Sequence, residues 1–209
     1  MNTMNTSKGI FNIYKLSLLL FSLSGFSVVA QTGNYNKYIQ EYQQAYSKNH
    51  EVVKGDDKKN IRFFPADESF RIQSSFERIY EAPWFKMETS GKEKKIYRDY
   101  GILRFTIKDT SLKLHIYQSQ HLMSVKEYSN HLFIPFTDLS NGEESYENGR
   151  YIDLVIADVE NGKYVIDFNK AYNPYCAYIN NVYNCPVPPK ENNLNVAIKA
   201  GEMKYGKKY

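Results

Sequence analysis

"KIYRDYGILRFTIKDTSLKLHIYQ", residues 95–118, is the stretch on which the fold turns. Leu103, Phe105 and Ile107 recur at every second position. After "KDTS" so do Leu112, Leu114 and Ile116, with Lys113, His115 and Tyr117 on the opposite side. Successive side chains of a strand point to opposite faces, so this period of two marks half-buried strands, and the short polar turn between them marks an antiparallel pair. The same period extends outward through "FRIQSSF" (70–76), "WFKMETS" (84–90), "HLFIPF" (131–136), "RYIDLVIADV" (150–159), "KYVIDFN" (163–169) and "LNVAIKA" (194–200). Short strands separated by turn signals, with no βαβ rhythm and no internal repeat, predict a mainly β chain. The expected architecture is a single antiparallel barrel- or sandwich-like domain.

One segment breaks the period. In "NYNKYIQEYQQAYSKNH" (34–50), Tyr35, Tyr38, Ile39, Tyr42, Ala45 and Tyr46 fall at i, i+3, i+4, i+7 spacing. That is one stripe of an amphipathic helix, which predicts an N-terminal helix packed by its tyrosines against the sheet.

Ahead of it, Lys8 and Lys15 precede an apolar run, "LSLLLFSLSGF" (16–26), and small residues at Val28-Val29-Ala30. This order reads as a secretory signal peptide over residues 1–30, removed by cleavage before Gln31. The apolar run is short for a span of about 20 residues, so no stable membrane anchor is expected after cleavage. The expected mature chain, residues 31–209, is one β-rich domain that is periplasmic or secreted. Removing Lys8 and Lys15, in a segment without acids, takes the formal charge from +4 to +2. The remaining lysines are scattered, which argues against nucleic acid as a partner. Oligomeric state is not legible.

A hairpin register can be read from "IADVENGKYVID" (156–167). Asn161-Gly162 is a strong two-residue turn signal, and it pairs Glu160 with Lys163 and Asp153 with Lys170, joining opposite charges. Arg150 then lies opposite Asn173, and Asp167 and Asn169 enter the same face. This polar patch adjoins "NPYCAYINNVYNCPVPP" (173–189), which holds both cysteines. In an oxidising compartment Cys176 and Cys185, nine positions apart, read as a disulfide. A reactive thiol and a metal pair are the alternatives, but no His lies nearby and the spacing is wide for zinc, so no metal and no cofactor are expected.

The blocks "FFPAD" (63–67), "YGILRF" (100–105), "FIPFTDLSNGEESYENGRY" (133–151), "DFNKAYNPYCAY" (167–178), "CPVPPKENNL" (185–194) and "IKAGE" (198–202) resemble, in order, the family called Domain of Unknown Function 1684. The resemblance covers about residues 35–205 and implies a single domain, and it carries no substrate. The residues themselves suggest a polar pocket for a small anionic or polar ligand. Arg150 would orient an anion through its planar fork, Asn169 and Asn173 would position it, and Asp167 or Glu202 would act as base if the ligand is hydrolysed. The rival expectation is a non-catalytic module in which the same residues, Arg150 paired to Asp138, Glu144 or Glu202, hold an irregular fold together.

Overall fold

A computed structural model describes residues 27–206. The expected leader lies outside the described residues up to Phe26, and the first described element, helix α1, runs Ser27–Asn49. Seven strands follow: β1 (Arg71–Arg78), β2 (Trp84–Met87), β3 (Lys95–Ile107), β4 (Thr110–Ser119), β5 (His131–Phe136), β6 (Arg150–Val155) and β7 (Lys163–Asp167). A one-turn helix, α2 (Gln120–Met123), and several single 3-10 turns fill the connections. The strands form one antiparallel sheet in the order β6-β5-β4-β3-β1-β7, with β2 beside β3, curled into a half-barrel.

β3 is the spine. β4 pairs with it from Tyr97 to Ile107; on its other edge β2 covers Lys95–Arg98 and β1 covers Gly101–Arg104. The β3–β4 connection is tighter than "KDTS" suggested: Ile107 pairs with Thr110, and only Lys108 and Asp109 lie in the loop. Both have positive φ, 46° and 66°, as a two-residue turn matched to the sheet twist requires.

A bulge between Asp99 and Gly101 inserts one extra residue, Tyr100, opposite β4. One extra residue reverses which parity faces inward. Before the bulge, Tyr97 joins a cluster with Met87, Tyr117, Phe133 and Tyr151; after it, Leu103, Phe105 and Ile107 join the main core. Gly101 is required at the kink, since a Cβ there would stand 2.3 Å from the Phe76 ring and 2.6 Å from the Glu77 carbonyl.

The main core takes Leu114 and Ile116 from β4, Leu132, Ile134 and Phe136 from β5, Ile152 and Leu154 from β6, and Ile166 from β7. The opposite face carries the tyrosine-rich cluster, and α1 lies against its end with Ile39 wholly buried and Tyr46 packed at the edge of a third cluster around Tyr178. Within the expected tyrosine stripe, Tyr35 and Ile39 are buried, whereas Tyr38 remains 48 % exposed.

Two expectations need correction. The β6–β7 hairpin does not form: β6 pairs with β5, and β7 pairs with β1 at the far end of the sheet. A 3-10 turn at Ile156–Asp158 lifts the chain away, closed by the Val155 N–H donating to the Asp158 carboxylate at 2.8 Å. The expected register survives at a single bridge, Tyr151 with Tyr172, through reciprocal bonds of 2.9 and 3.0 Å. Residues 194–200 are not a strand either. Leu194 and Ile198 alternate inward as expected and are buried, but the segment runs irregularly, tied by Leu194 N–H to Thr137 O and by Ile198 N–H to the Asp138 carboxylate.

Candidate functional site

Arg150 starts β6 on the core face, and its side chain is wholly enclosed. Its Nη2 donates to Asp138 Oδ2 at 2.8 Å and to the Ile198 carbonyl at 2.8 Å. Its Nη1 donates to the carbonyls of Ala200 and Glu202. The plane sits 5.5 Å from the Phe136 ring centroid. Burial lowers its proton affinity and Asp138 opposes that shift. Its Nε–H has no partner, but with the side chain wholly enclosed the guanidinium is out of reach of an external anion. Of the carboxylates weighed as partners, Asp138 is the one paired; Glu144 bonds Lys199 instead.

The other expected residues serve the same inward network. Asn169 is fully buried; its amide bridges the Tyr35 hydroxyl, the Asp67 backbone and the Asp167 carboxylate. Asp167 Oδ1 also accepts from Tyr35 at 2.8 Å, pinning α1 to the end of β7. Asn173 is fully buried and donates to Glu202 Oε2 and to the Met203 carbonyl. Glu202 accepts from Tyr178 at 2.6 Å and from Tyr46 at 3.3 Å. Burial raises its pKa to about 7, with the bonds from Asn173, Tyr178 and Tyr46 opposing. Arg150, Asn173 and Glu202 are therefore brought together, around the 198–203 segment, while Asp167 and Asn169 meet elsewhere under α1.

A wide cleft lies on the opposite face of the sheet. It holds about 820 Å³ and is lined by none of the five expected ligand or catalytic residues. Its floor is the second cluster: Tyr97 from β3, Phe133 from β5, Tyr151 and Asp153 from β6. Helix α1 supplies Tyr42 and Tyr46 on one side, and Tyr172, Pro174 and Tyr175 form the next wall. Tyr183, Asn184, Cys185 and Pro186 complete it. Cys176 and Cys185 are joined with their Cα atoms 6.3 Å apart, so the stapled loop is one wall of this cleft. The disulfide expectation holds, and no free cysteine occurs. Asp167 opens instead on a smaller adjoining cleft of about 380 Å³, shared with Asp153, Asp158 and Lys170 at the seam between β6 and β7.

Polar groups of the main cleft are organised around two carboxylates. Asp153 Oδ1 lies 3.0 Å from His131 Nε2, and its Oδ2 accepts from the Tyr172 hydroxyl at 2.7 Å. Glu51 accepts from Tyr175 at 2.8 Å. Burial, then the bond to Glu51, pushes Tyr175 up to about 12; burial pushes Tyr172 well above the phenol range, with Asp153 adding to it. These phenols stay neutral. His50 Nδ1 accepts from the Val53 N–H at 2.9 Å, and burial lowers its pKa to about 4, leaving it uncharged at neutral pH. Among the described residues no group of three or more His, Cys, Asp or Glu is placed to hold a metal ion, and no helix is long and apolar enough to cross a membrane.

Sequence reasoning missed this cleft because the tyrosines come from distant segments and were read as sheet packing. It also missed Asn192. That side chain is fully buried and bridges β4 and β5: its Oδ1 accepts from His115 N–H at 2.7 Å, and its Nδ2 donates to the carbonyls of His115 and Pro135. Pro135 has no N–H, so the β4–β5 ladder opens there and the amide fills the gap. His115, on the opposite side of β4 from Leu114 and Ile116, is half-buried and bonded through Nδ1 to Asp99 at the bulge.

A search of curated proteins finds no match. Among solved structures, the chain is similar to an uncharacterized protein of Haloarcula marismortui determined by solution NMR. The two share 27% identity with a TM-score of 0.62, over 83% of this chain and 96% of that one. The family model described as "Protein of unknown function (DUF1684)" matches residues 57–203, which include Asp138, Arg150, Asp167, Asn169, Asn173, Asn192 and Glu202. The chain belongs to the DUF1684 family.

Proposed function

We propose that this chain is an exported domain that binds a small polar ligand in the tyrosine-lined cleft. One observation carries the reading: seven tyrosines from helix, sheet and stapled loop converge with Asp153, Glu51 and His131 on one concavity. A concave, mostly aromatic site with a few placed polar groups is how small ligands are usually held. Export is supported by the basic and apolar N-terminal segment and by the disulfide. The reading is one of binding. Glu202 is sealed behind the cleft wall and Asp167 opens on the smaller cleft, so neither base expected for hydrolysis reaches the main one.

A thermal-shift screen of small amines, sugars and carboxylates on wild type and Tyr183→Ala tests this. A bound ligand raises the melting temperature with concentration, and the variant should lose that response while its own melting point changes little. If no compound class shifts the wild-type protein, the proposal fails.

The rival, a non-catalytic structural module, has its own support. Arg150, Asn169, Asn173, Asn192 and Glu202 are all fully buried and bonded within the chain. It explains the signature blocks and leaves the cleft without a role.

A further inference from the structure

We infer that the ligand of this cleft is an organic cation: a primary amine, a polyamine or a guanidinium compound. The inference rests on the cleft being a ligand site and follows from counting its donors and acceptors. A phenol has one proton to donate and two lone pairs to accept with. Here five of the seven cleft phenols already donate within the protein. Tyr172 donates to Asp153, Tyr175 to Glu51 and Tyr151 to the Pro186 carbonyl. What stays unfilled on these groups is acceptor capacity, together with the π-faces of the rings. Each ionised carboxylate accepts at about four positions, and Asp153 and Glu51 use only part of theirs.

The charges point the same way. Glu51 and Asp153 share the cleft with Lys95 and with His131, whose Nε2 already lies against Asp153 Oδ1, and His50 is uncharged. The side chain of Asp153 is 46% exposed, open enough to meet a ligand. A phosphate or carboxylate would need several donors here, and the guanidinium expected to supply them, Arg150, is enclosed elsewhere. The donors lining the cleft are Lys95, His131, the amides of Asn49 and Asn184 and the unpartnered His50 Nε2–H, set against seven phenols and two carboxylates.

The molecule also shows that its tyrosines take an ammonium group. Lys170 Nζ lies 5.6 Å from the ring centroid of Tyr42, which lines the cleft, and 4.9 Å from that of Tyr38. Ammonium over an aromatic face is attracted by the ring quadrupole, and a nearby carboxylate strengthens the pairing once water is excluded. Acceptor-rich, acidic and aromatic walls together select a donor-rich cation.

Isothermal titration of the disulfide-intact protein with 1,4-diaminobutane and spermidine, alongside glucose and inorganic phosphate, tests this. The amines should bind, and more weakly at high salt. Asp153→Asn and Glu51→Gln, which keep size and shape, should each weaken amine binding about tenfold. Lys95→Gln should tighten it severalfold, the opposite of its effect on an anion. Binding of glucose or phosphate in the cleft with no amine response would overturn the cation assignment and leave the cleft a site. Silence from every probe would overturn both.

Discussion

Arg150 and Asp138 are paired at 2.8 Å with neither side chain exposed. A pair this deep is held by its surroundings: Asp138 Oδ1 also accepts from Ser140 and from the Ile198 N–H, and Arg150 binds three carbonyls of the 198–202 segment. Removing one partner leaves an uncompensated buried charge, which costs about 3–5 kcal/mol. Arg150→Ala should therefore lower stability by that amount in urea unfolding, while amine binding at the cleft is retained in protein that stays folded. Arg150→Met with Asp138→Asn should lose clearly less than the two single changes added together.

Asn192→Ala removes three bonds, two to the half-buried His115 backbone and one to the buried Pro135 carbonyl, in the gap between β4 and β5. Each unsatisfied buried group costs about 1–3 kcal/mol, so the variant should lose about 3 kcal/mol or more in chemical denaturation. A loss below 1 kcal/mol would show that water replaces the amide.

The period-two pattern located all seven ladder strands within a few residues, because half-buried strands must alternate whatever their partners are. Partner choice was less legible. Asn161-Gly162 looked like a hairpin turn, but the Asp158 cap and the edge offered by β1 redirected β7, and neither signal is local to the turn. Residues 194–200 alternate like a strand yet find no free ladder edge. The polar residues Arg150, Asp167, Asn169, Asn173 and Glu202 read as one converging pocket, whereas the structure gathers Arg150, Asn173 and Glu202 and places Asp167 and Asn169 elsewhere under α1. Sequence could not say that they point inward. The cleft was invisible for a different reason: its tyrosines lie between positions 42 and 183, and only the curl of the sheet, the bulge at Asp99/Gly101 and the staple collect them.

Replacing both Cys176 and Cys185 by Ser opens a short loop. The chain-entropy cost is about 2.5–3 kcal/mol, and urea unfolding should show that loss. Because Tyr183, Asn184 and Cys185 form one wall, ligand affinity should fall further than stability alone explains. Equal affinity in the two proteins at a temperature where both are folded would separate the staple from the site.

Two buried groups predict opposing pH effects. Glu202 has a folded pKa raised from 4.5 to about 7, so its contribution to stability is full below about pH 4.5 and is lost as pH rises through 7. His50 has a folded pKa lowered from 6.5 to about 4, so its contribution is present above 6.5 and is lost as pH falls toward 4. Between pH 4.5 and 6.5 the two slopes oppose, each at most about 1.4 kcal/mol per pH unit. Glu202→Gln should make stability rise with pH across that window, and His50→Asn should make it fall. Parallel curves for wild type and both variants would refute the assignment.

The most direct test of where this protein works is a titration with 1,4-diaminobutane followed by amide and side-chain NMR. The account places ligand against the tyrosine face, so resonances of Tyr42, Tyr46, Asp153, Tyr172 and Tyr183 should move together and saturate, while the Arg150 guanidinium stays unchanged. Shifts centred on Arg150, Asp138 and residues 198–202, with the cleft tyrosines still, would contradict it.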